Sequence, residues 1–175
     1  MPQNPLSFDD LIEAAQRSAV HLEMRDQYGI SDESEGFRSW LRTGQRDTDP
    51  ASESWAPWVE LISRAVSRGV VVRRARIISE PVTDYIRYEH GGTGVNVTAG
   101  EQVRWLPRRR ASDIALPGND FWLFDDRLIR WNHFTGDGAW AGQEFTEAPA
   151  ATKLCTDSFE AVWSRAIPHD QYEIR

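Results

Sequence analysis

The strongest constraint on this chain is a change of hydrophobic period within its first 26 residues. Phe8, Leu11, Ile12 and Ala15 recur at helical spacing. Ser7, with Asp10 three residues on, forms a short version of the capping box, and Leu6 and Leu11 stand at hydrophobic-staple positions. The spacing predicts a helix over 7–17. Over 19–26 the pattern alternates instead: Val20, Leu22 and Met24 against His21, Glu23 and Arg25. A period of two predicts a strand with one buried face and one solvated face.

The same switch recurs downstream. Ser54 opens a helix with Pro57 in its first turn; Trp58, Leu61, Ile62, Ala65 and Val66 form its apolar face and Gly69 ends it. The β-branched run Val70, Val71, Val72 follows at once, then Ile77 and Ile78. Helix, glycine, buried strand is the second half of a βαβ-like unit. Between these units, Ser31 is placed as the cap of a short acidic helix ending at Gly44, and residues 45–53 read as a surface loop.

Beyond residue 80 the chain reads as a short helix over 82–90, a glycine-rich loop over 91–100, and strands over 102–106, 120–125, 127–134 and 139–146. A closing helix over 149–166 carries Leu154, Phe159, Val162 and Trp163 on one face. The first half alternates helix and strand, and the second half is an antiparallel meander capped by a helix. One α/β domain spanning 1–175, with a mixed central sheet and helices packed on its faces, accounts for both.

Composition sets the bounds on function. A chain of 175 residues suits one domain. The lone Cys155 excludes an internal disulfide and zinc-type cysteine spacing. The N-terminus has no basic region followed by an apolar one, and no apolar run is long enough for a bilayer, so the expected location is the cytoplasm, without a membrane partner. A net charge of −7 argues against broad attraction to nucleic acid.

Four groups of residues are candidates for chemistry. The arginines Arg73, Arg74, Arg76, Arg104, Arg108, Arg109 and Arg110 suit phosphate contact, but nearby acids such as Glu80, Glu89 and Glu101 make ion pairing the favoured reading. The strand-borne polar residues His21, Glu23, Arg25, Asp26, Arg73, Arg76 and His133 would converge at one end of the sheet if their strands are neighbours; an outward, solvated face is the favoured alternative. Asp120, Asp125 and Asp126 carry oxygen ligands for a cation, yet Asp-Asp before a strand is an ordinary hairpin corner. Cys155 lies in the apolar stripe of the last helix, as a small hydrophobe does. No nucleophile elbow, metalloprotease helix, phosphate loop or dinucleotide fingerprint occurs.

Several segments together resemble a known family: His21 to Asp26 with Tyr28, Arg68 to Arg74, Ser79 to Pro81 leading to Asp84 to Arg87, Arg104 to Arg108, Asn119 to Asp125, and Phe159 to Trp163 with Pro168 and His169. They are similar to an actinobacterial family of domains of unknown function, encoded beside helix-turn-helix regulators. A weaker resemblance is to the phospholipase-D-like fold. Its catalytic members need a His-x-Lys-x4-Asp motif, whereas the sole lysine here, Lys153, has Ala151 two positions before it. That resemblance therefore implies a degenerate version used for binding or dimerisation.

The expected function is a non-enzymatic regulatory or interaction module. Its expected partner is a helix-turn-helix regulator, a small anionic ligand or a second copy of the chain, with no cofactor and no metal. Arg73, Arg76, Arg87, Arg104 and Arg108 are the candidate anion or partner contacts. An alternative is an enzyme with an acid/base site built from Glu23, Asp26, Tyr85 and His133. A third reading is nucleic-acid binding through Arg104–Arg110.

Overall fold

The first turn forms as its sequence requires. In the computed structural model, which describes residues 6–29 and 31–175 with backbone alone for 31–34, Ser7 caps α1 (Phe8–Ala14). Its hydroxyl accepts from the Asp10 amide at 3.1 Å, and the Asp10 carboxylate accepts from the Ser7 amide at 3.1 Å. The chain then runs through β1 (Ser18–Glu23), α2 (Ser31–Thr43), α3 (Ala56–Ser67), β2 (Val71–Ile78), α4 (Asp84–Thr98) and β3 (Gln102–Pro107). A meander follows, β4 (Asp120–Phe124), β5 (Leu128–Phe134) and β6 (Trp140–Thr146), then α5 (Pro149–Arg165) and the two-residue β7 (Ile167–Pro168). The proposed Ser31 cap lies outside the described side chains.

The seven strands among the described residues join one mixed sheet in the order β6-β5-β4-β1-β2-β3-β7. The neighbours β1, β2 and β3 are parallel, and the other pairs are antiparallel. This is the α/β domain that the alternating periods predict. The two-residue β7, which pairs antiparallel with β3, is too short for its sequence to announce.

Helices cover both faces of the sheet. On one, Val20, Leu22, Ala75, Ile77, Phe121 and Leu123 pack against Cys155, Phe159 and Val162 of α5. On the other, Ala19, Val72, Trp122 and Phe124 pack under Leu11 and Ile12 of α1 and Leu61, Ile62 and Ala65 of α3. Beside them Ile78, Val103 and Trp105 meet Tyr85 and Ile86 of α4. Coverage on both sides corrects the expectation of a solvated strand face. His21 is 8% exposed and Arg76 only 4%. An alternating strand looks the same in sequence whether its polar residues meet water or a covering helix lined with their counter-charges.

A second correction concerns residues 91–100. They form no loop, because α4 continues to Thr98 through Gly91, Gly92 and Gly94. At Gly92 the missing side chain is used: a Cβ there would lie 2.6 Å from Nη2 of Arg46. The Arg46 guanidinium sits 3.7 Å over the Tyr88 ring and its Nε donates to the Tyr88 carbonyl at 3.3 Å. Helix propensity lost at glycine, about 1 kcal/mol, is thereby traded for a packed arginine.

The Asp-rich corner is structural. Asp125 and Asp126 both adopt positive φ between β4 and β5. The Asp125 carboxylate accepts from the amides of Gln16, Arg17 and Ser18 at 3.0, 2.7 and 2.9 Å. Among the described residues no group of three or more metal-ligating side chains is assembled, and no helix is long and apolar enough to cross a membrane.

Candidate functional site

Strand register collects the polar residues. On the face under α3 and α4, Glu23 stands opposite Arg76 and His21 opposite Arg74. Trp122 stands opposite His21, Asn132 opposite Asp120, and Arg130 opposite Trp122. Period-two alternation then aims all these side chains the same way.

The charges form an alternating chain. Arg74 Nε meets Glu101 at 2.6 Å and its Nη1 meets Glu23 at 2.6 Å; Arg76 Nε meets the other Glu23 oxygen at 2.6 Å and its Nη2 meets Glu89 at 2.8 Å. Asn96 donates to the second Glu101 oxygen at 2.8 Å. Aromatic faces flank the arginines: Trp58 and Trp122 lie 5.5 and 5.7 Å from Arg74, and Trp105 lies 5.0 Å from Arg76. Buried charge is tolerated here because each guanidinium answers two carboxylates.

Next to this chain lies a cavity of about 140 Å³. Its lining includes the polar groups of His21, Glu23, Tyr28, Arg74, Asp120, Arg130 and Asn132, with the rings of Phe134 and Trp140 beside them. Trp140 is 43% exposed, so the cavity opens toward solvent beside β6, where Phe145 is also exposed. Tyr28 closes another side. It donates to Asp120 and packs 5.0 Å from Phe134. The segment carrying Tyr28 is fastened where two backbones cross: Gly29 N–H donates to the Gly138 carbonyl at 2.8 Å. Gly138 has φ +92°, and a Cβ there would lie 3.3 Å from the Gln27 carbonyl oxygen.

Electrostatics differ sharply among these groups. Burial opposes ionisation of Glu23, but Arg76 and Arg74 outweigh it and hold the carboxyl at about 2. Burial drives His21 well below the ordinary imidazole value, with Arg74 and Arg76 pushing the same way against Glu23, so the ring is neutral at pH 7. It stacks on Trp122 with centroids 4.3 Å apart. Burial lifts Asp120 to about 7 against its hydrogen bond from Tyr28, and the Glu23 charge adds to the rise. Burial also raises the Tyr28 hydroxyl well above its usual value.

Arg130 stands apart from the other two arginines. Burial lowers its pKa, and among the described residues no carboxylate lies within ion-pairing distance of it. Its Nε donates to Gln143 at 2.6 Å, and Phe8 and Trp140 flank it at 5.4 and 5.6 Å. Asn132 is 7% exposed, and among the described residues its side-chain oxygen has no hydrogen-bond partner.

Of the residues singled out in the sequence, the structure brings His21, Glu23, Arg74, Arg76, Tyr85 and Asp120 together around this cavity and its charge chain. Asp26 and Arg108 form a separate tie at the strand ends. Asp26 accepts from the Ser79 amide and hydroxyl, both at 2.7 Å, while Arg108 donates to the Met24 carbonyl at 2.6 Å and to the Ile77 carbonyl at 3.2 Å. Arg73 and Arg104 lie on the α5 face. Arg73 pairs with Glu160 at 2.6 Å, and Arg104 sits 4.4 Å over Trp163. Arg87 is exposed on α4, and His133 points to the α5 side, 3.5 Å from Glu144. In the Arg104–Arg110 segment the exposed arginines are therefore Arg109 and Arg110.

Sequence reasoning passed over Tyr28, Arg130 and Asn132. The signal for the last two was present, because Arg130 and Asn132 alternate with Ile129, Trp131 and His133. Tyr28 lies outside any repeat, and its one signal was its place beside His21 to Asp26 in the segments that carry the family resemblance.

A larger open groove, about 800 Å³, runs past Ser39, Arg46, Asp47 and Trp55. Its polar groups are engaged locally: Asp47 accepts from Ser54 at 2.7 Å, and Trp55 Nε1 donates to the Asp47 carbonyl at 3.0 Å. The smaller cavity, with unanswered groups, is the better candidate site.

No curated protein matches the chain. Among solved structures it is similar to TrmBL2, an archaeal chromatin protein whose structure is described as showing a novel mode of DNA binding. The identity is 11% and the TM-score 0.49, over 91% of this chain and 48% of that one. The chain thus spans about half the length of that structure, and a likeness of this size carries no argument about fold or ligand. The sequence comparison is decisive at the level of family: the model described as Domain of unknown function (DUF6879) matches residues 6–174, and the chain belongs to that family.

Proposed function

We propose that this domain is a non-enzymatic binding module whose cavity takes a small anionic ligand, with Arg130 as the anchor. One observation carries the reading. Arg74 and Arg76 each answer two carboxylates, whereas Arg130 reaches the same cavity with a neutral glutamine as its hydrogen-bond partner. A half-buried guanidinium without a counter-charge is a ready partner for a carboxylate or phosphate. Trp140 and Phe145 at the open side supply the surface on which a helix-turn-helix regulator would read occupancy.

The test is thermal unfolding of the full chain with acetate, butyrate and inorganic phosphate. A ligand at 100 times its Kd adds about 2.7 kcal/mol, or a Tm rise of roughly 5–10 °C for a domain of this size. The rise should vanish in Arg130→Gln. An equal rise in wild type and Arg130→Gln, or none with any anion, would remove the reading.

A second reading, acid–base chemistry on the bound molecule, is favoured by the position of Asp120 near pH 7 inside the cavity. Its test is the chemical identity of a bound carboxylate after prolonged incubation, followed by NMR. An unchanged ligand supports the binding module.

A further inference from the structure

The cavity presents the Arg130 cation on one rung and the acceptors of Asp120 and Asn132 on the next, and this polarity specifies more than an anion. Arg130 and Asn132 are two residues apart on β5, on the same face, about 7 Å along the strand. Opposite them stand Trp122 and Asp120 respectively. At the Asn132 end the side-chain oxygen is buried and has no donor. Asp120 takes the Met24 amide at 3.0 Å and the Tyr28 hydroxyl, one on each oxygen, so each oxygen keeps a lone pair. A buried acceptor left without a donor is destabilising, so a ligand that brings a donor there recovers that loss. Phe134 and Trp140, paired one step beyond Asn132, also line the cavity, and the Trp140 ring reaches back to 5.6 Å from Arg130. The volume of about 140 Å³ suits a small occupant.

We propose that the occupant is a small zwitterion, an amino carboxylate, whose carboxylate meets Arg130 and whose ammonium meets Asp120 and Asn132. This rests on the anion-binding reading above and adds the second pole. The two poles lie one rung of the sheet apart, which suits a few methylenes between the charged groups better than an α-amino acid backbone. The methylenes would pack on the Trp140 and Phe134 rings.

The test is calorimetric titration of the full chain with γ-aminobutyrate, with butyrate, which lacks the ammonium, and with n-butylamine, which lacks the carboxylate. The expected result is a Kd for γ-aminobutyrate at least tenfold below those of both analogues. Asp120→Asn should bring γ-aminobutyrate to the level of butyrate while butyrate itself still binds. Arg130→Gln should weaken both carboxylates at least tenfold. Butyrate binding as tightly as γ-aminobutyrate to the unmodified protein would overturn the zwitterion and leave the anion site standing. Failure of both carboxylates to bind would overturn the anion site as well. Melting curves of the two variants establish that they are folded, so that lost binding is read as lost contact.

Discussion

Glu23 and Arg76 are direct cross-strand partners on the parallel pair β1 and β2, and their side chains meet at 2.6 Å beneath α4. The same carboxylate holds Arg74 from its other oxygen, so one acid joins two arginines that would otherwise repel. Removing it should be severe. Glu23→Gln is expected to lower the unfolding free energy by about 3 kcal/mol, the lower end for breaking a buried pair, because Glu89 and Glu101 still face the arginines. The exposed Arg127–Glu147 pair, 2.6 Å apart, is the internal contrast. Glu147→Gln should change stability by less than about 1 kcal/mol. Urea unfolding of the two variants checks both values.

Asp120 predicts a pH dependence with a definite sign. Its folded pKa, about 7, lies above the ordinary carboxylate value because it is buried, with Glu23 adding to the rise and Tyr28, the Met24 amide and Arg25 opposing it. A raised acid favours the folded state most at low pH, and this contribution is lost as pH climbs from the unfolded value near 4 through about 7. Asp120→Asn removes that loss. The variant should gain stability relative to wild type between pH 5 and 8, with a ceiling of roughly 4 kcal/mol. Denaturation at three pH values reads the difference directly, and the buried histidines cancel in the comparison.

Cys155 is 0% exposed against the sheet, and burial pushes its thiol up to about 12. An aromatic disulfide reagent at pH 8 should leave it unmodified in the folded protein and label it promptly in denaturant. Labelling at the same rate in both conditions would contradict the packing of α5.

Gly92→Ala separates helix propensity from packing. Alanine favours the helix by about 1 kcal/mol, but its Cβ displaces the end of Arg46, a flexible side chain that can swing away. Net stability should change by less than about 1 kcal/mol, while amide exchange in residues 45–55 speeds up as Arg46 leaves the Tyr88 ring. A large stability loss with unchanged exchange would argue against this account.

Much of the fold was legible because hydrophobic period reports element type. The period-two run at β1, the continuous apolar run at β4, the capping box at Ser7 and the glycine stop at Gly69 were each readable from a few residues. The glycines of α4 misled because local propensity carries no information about Arg46, which lies far away in sequence and occupies the space they leave. The candidate site was half legible. Glu23, Arg76 and Tyr85 stood out as polar or aromatic groups on regular elements, and Arg130 and Asn132 obeyed the same alternation unnoticed. What no spacing encodes is whether a second layer covers the polar side of a strand. That depends on which helix crosses which strands, a property of topology. The phospholipase-D-like reading rests on sequence resemblance alone.

The crossing of Gly29 over Gly138 bears on how the cavity is entered. Because the two chains touch there, main chain against main chain, Tyr28 is pinned as a wall and does not act as a door. Traffic is then left to the Trp140 side, where a single indole can turn without disturbing any strand. A methyl group placed at Gly138 would strain the backbone and crowd the Gln27 carbonyl oxygen, loosening that wall, whereas one at Gly29 would meet only ordinary van der Waals neighbours.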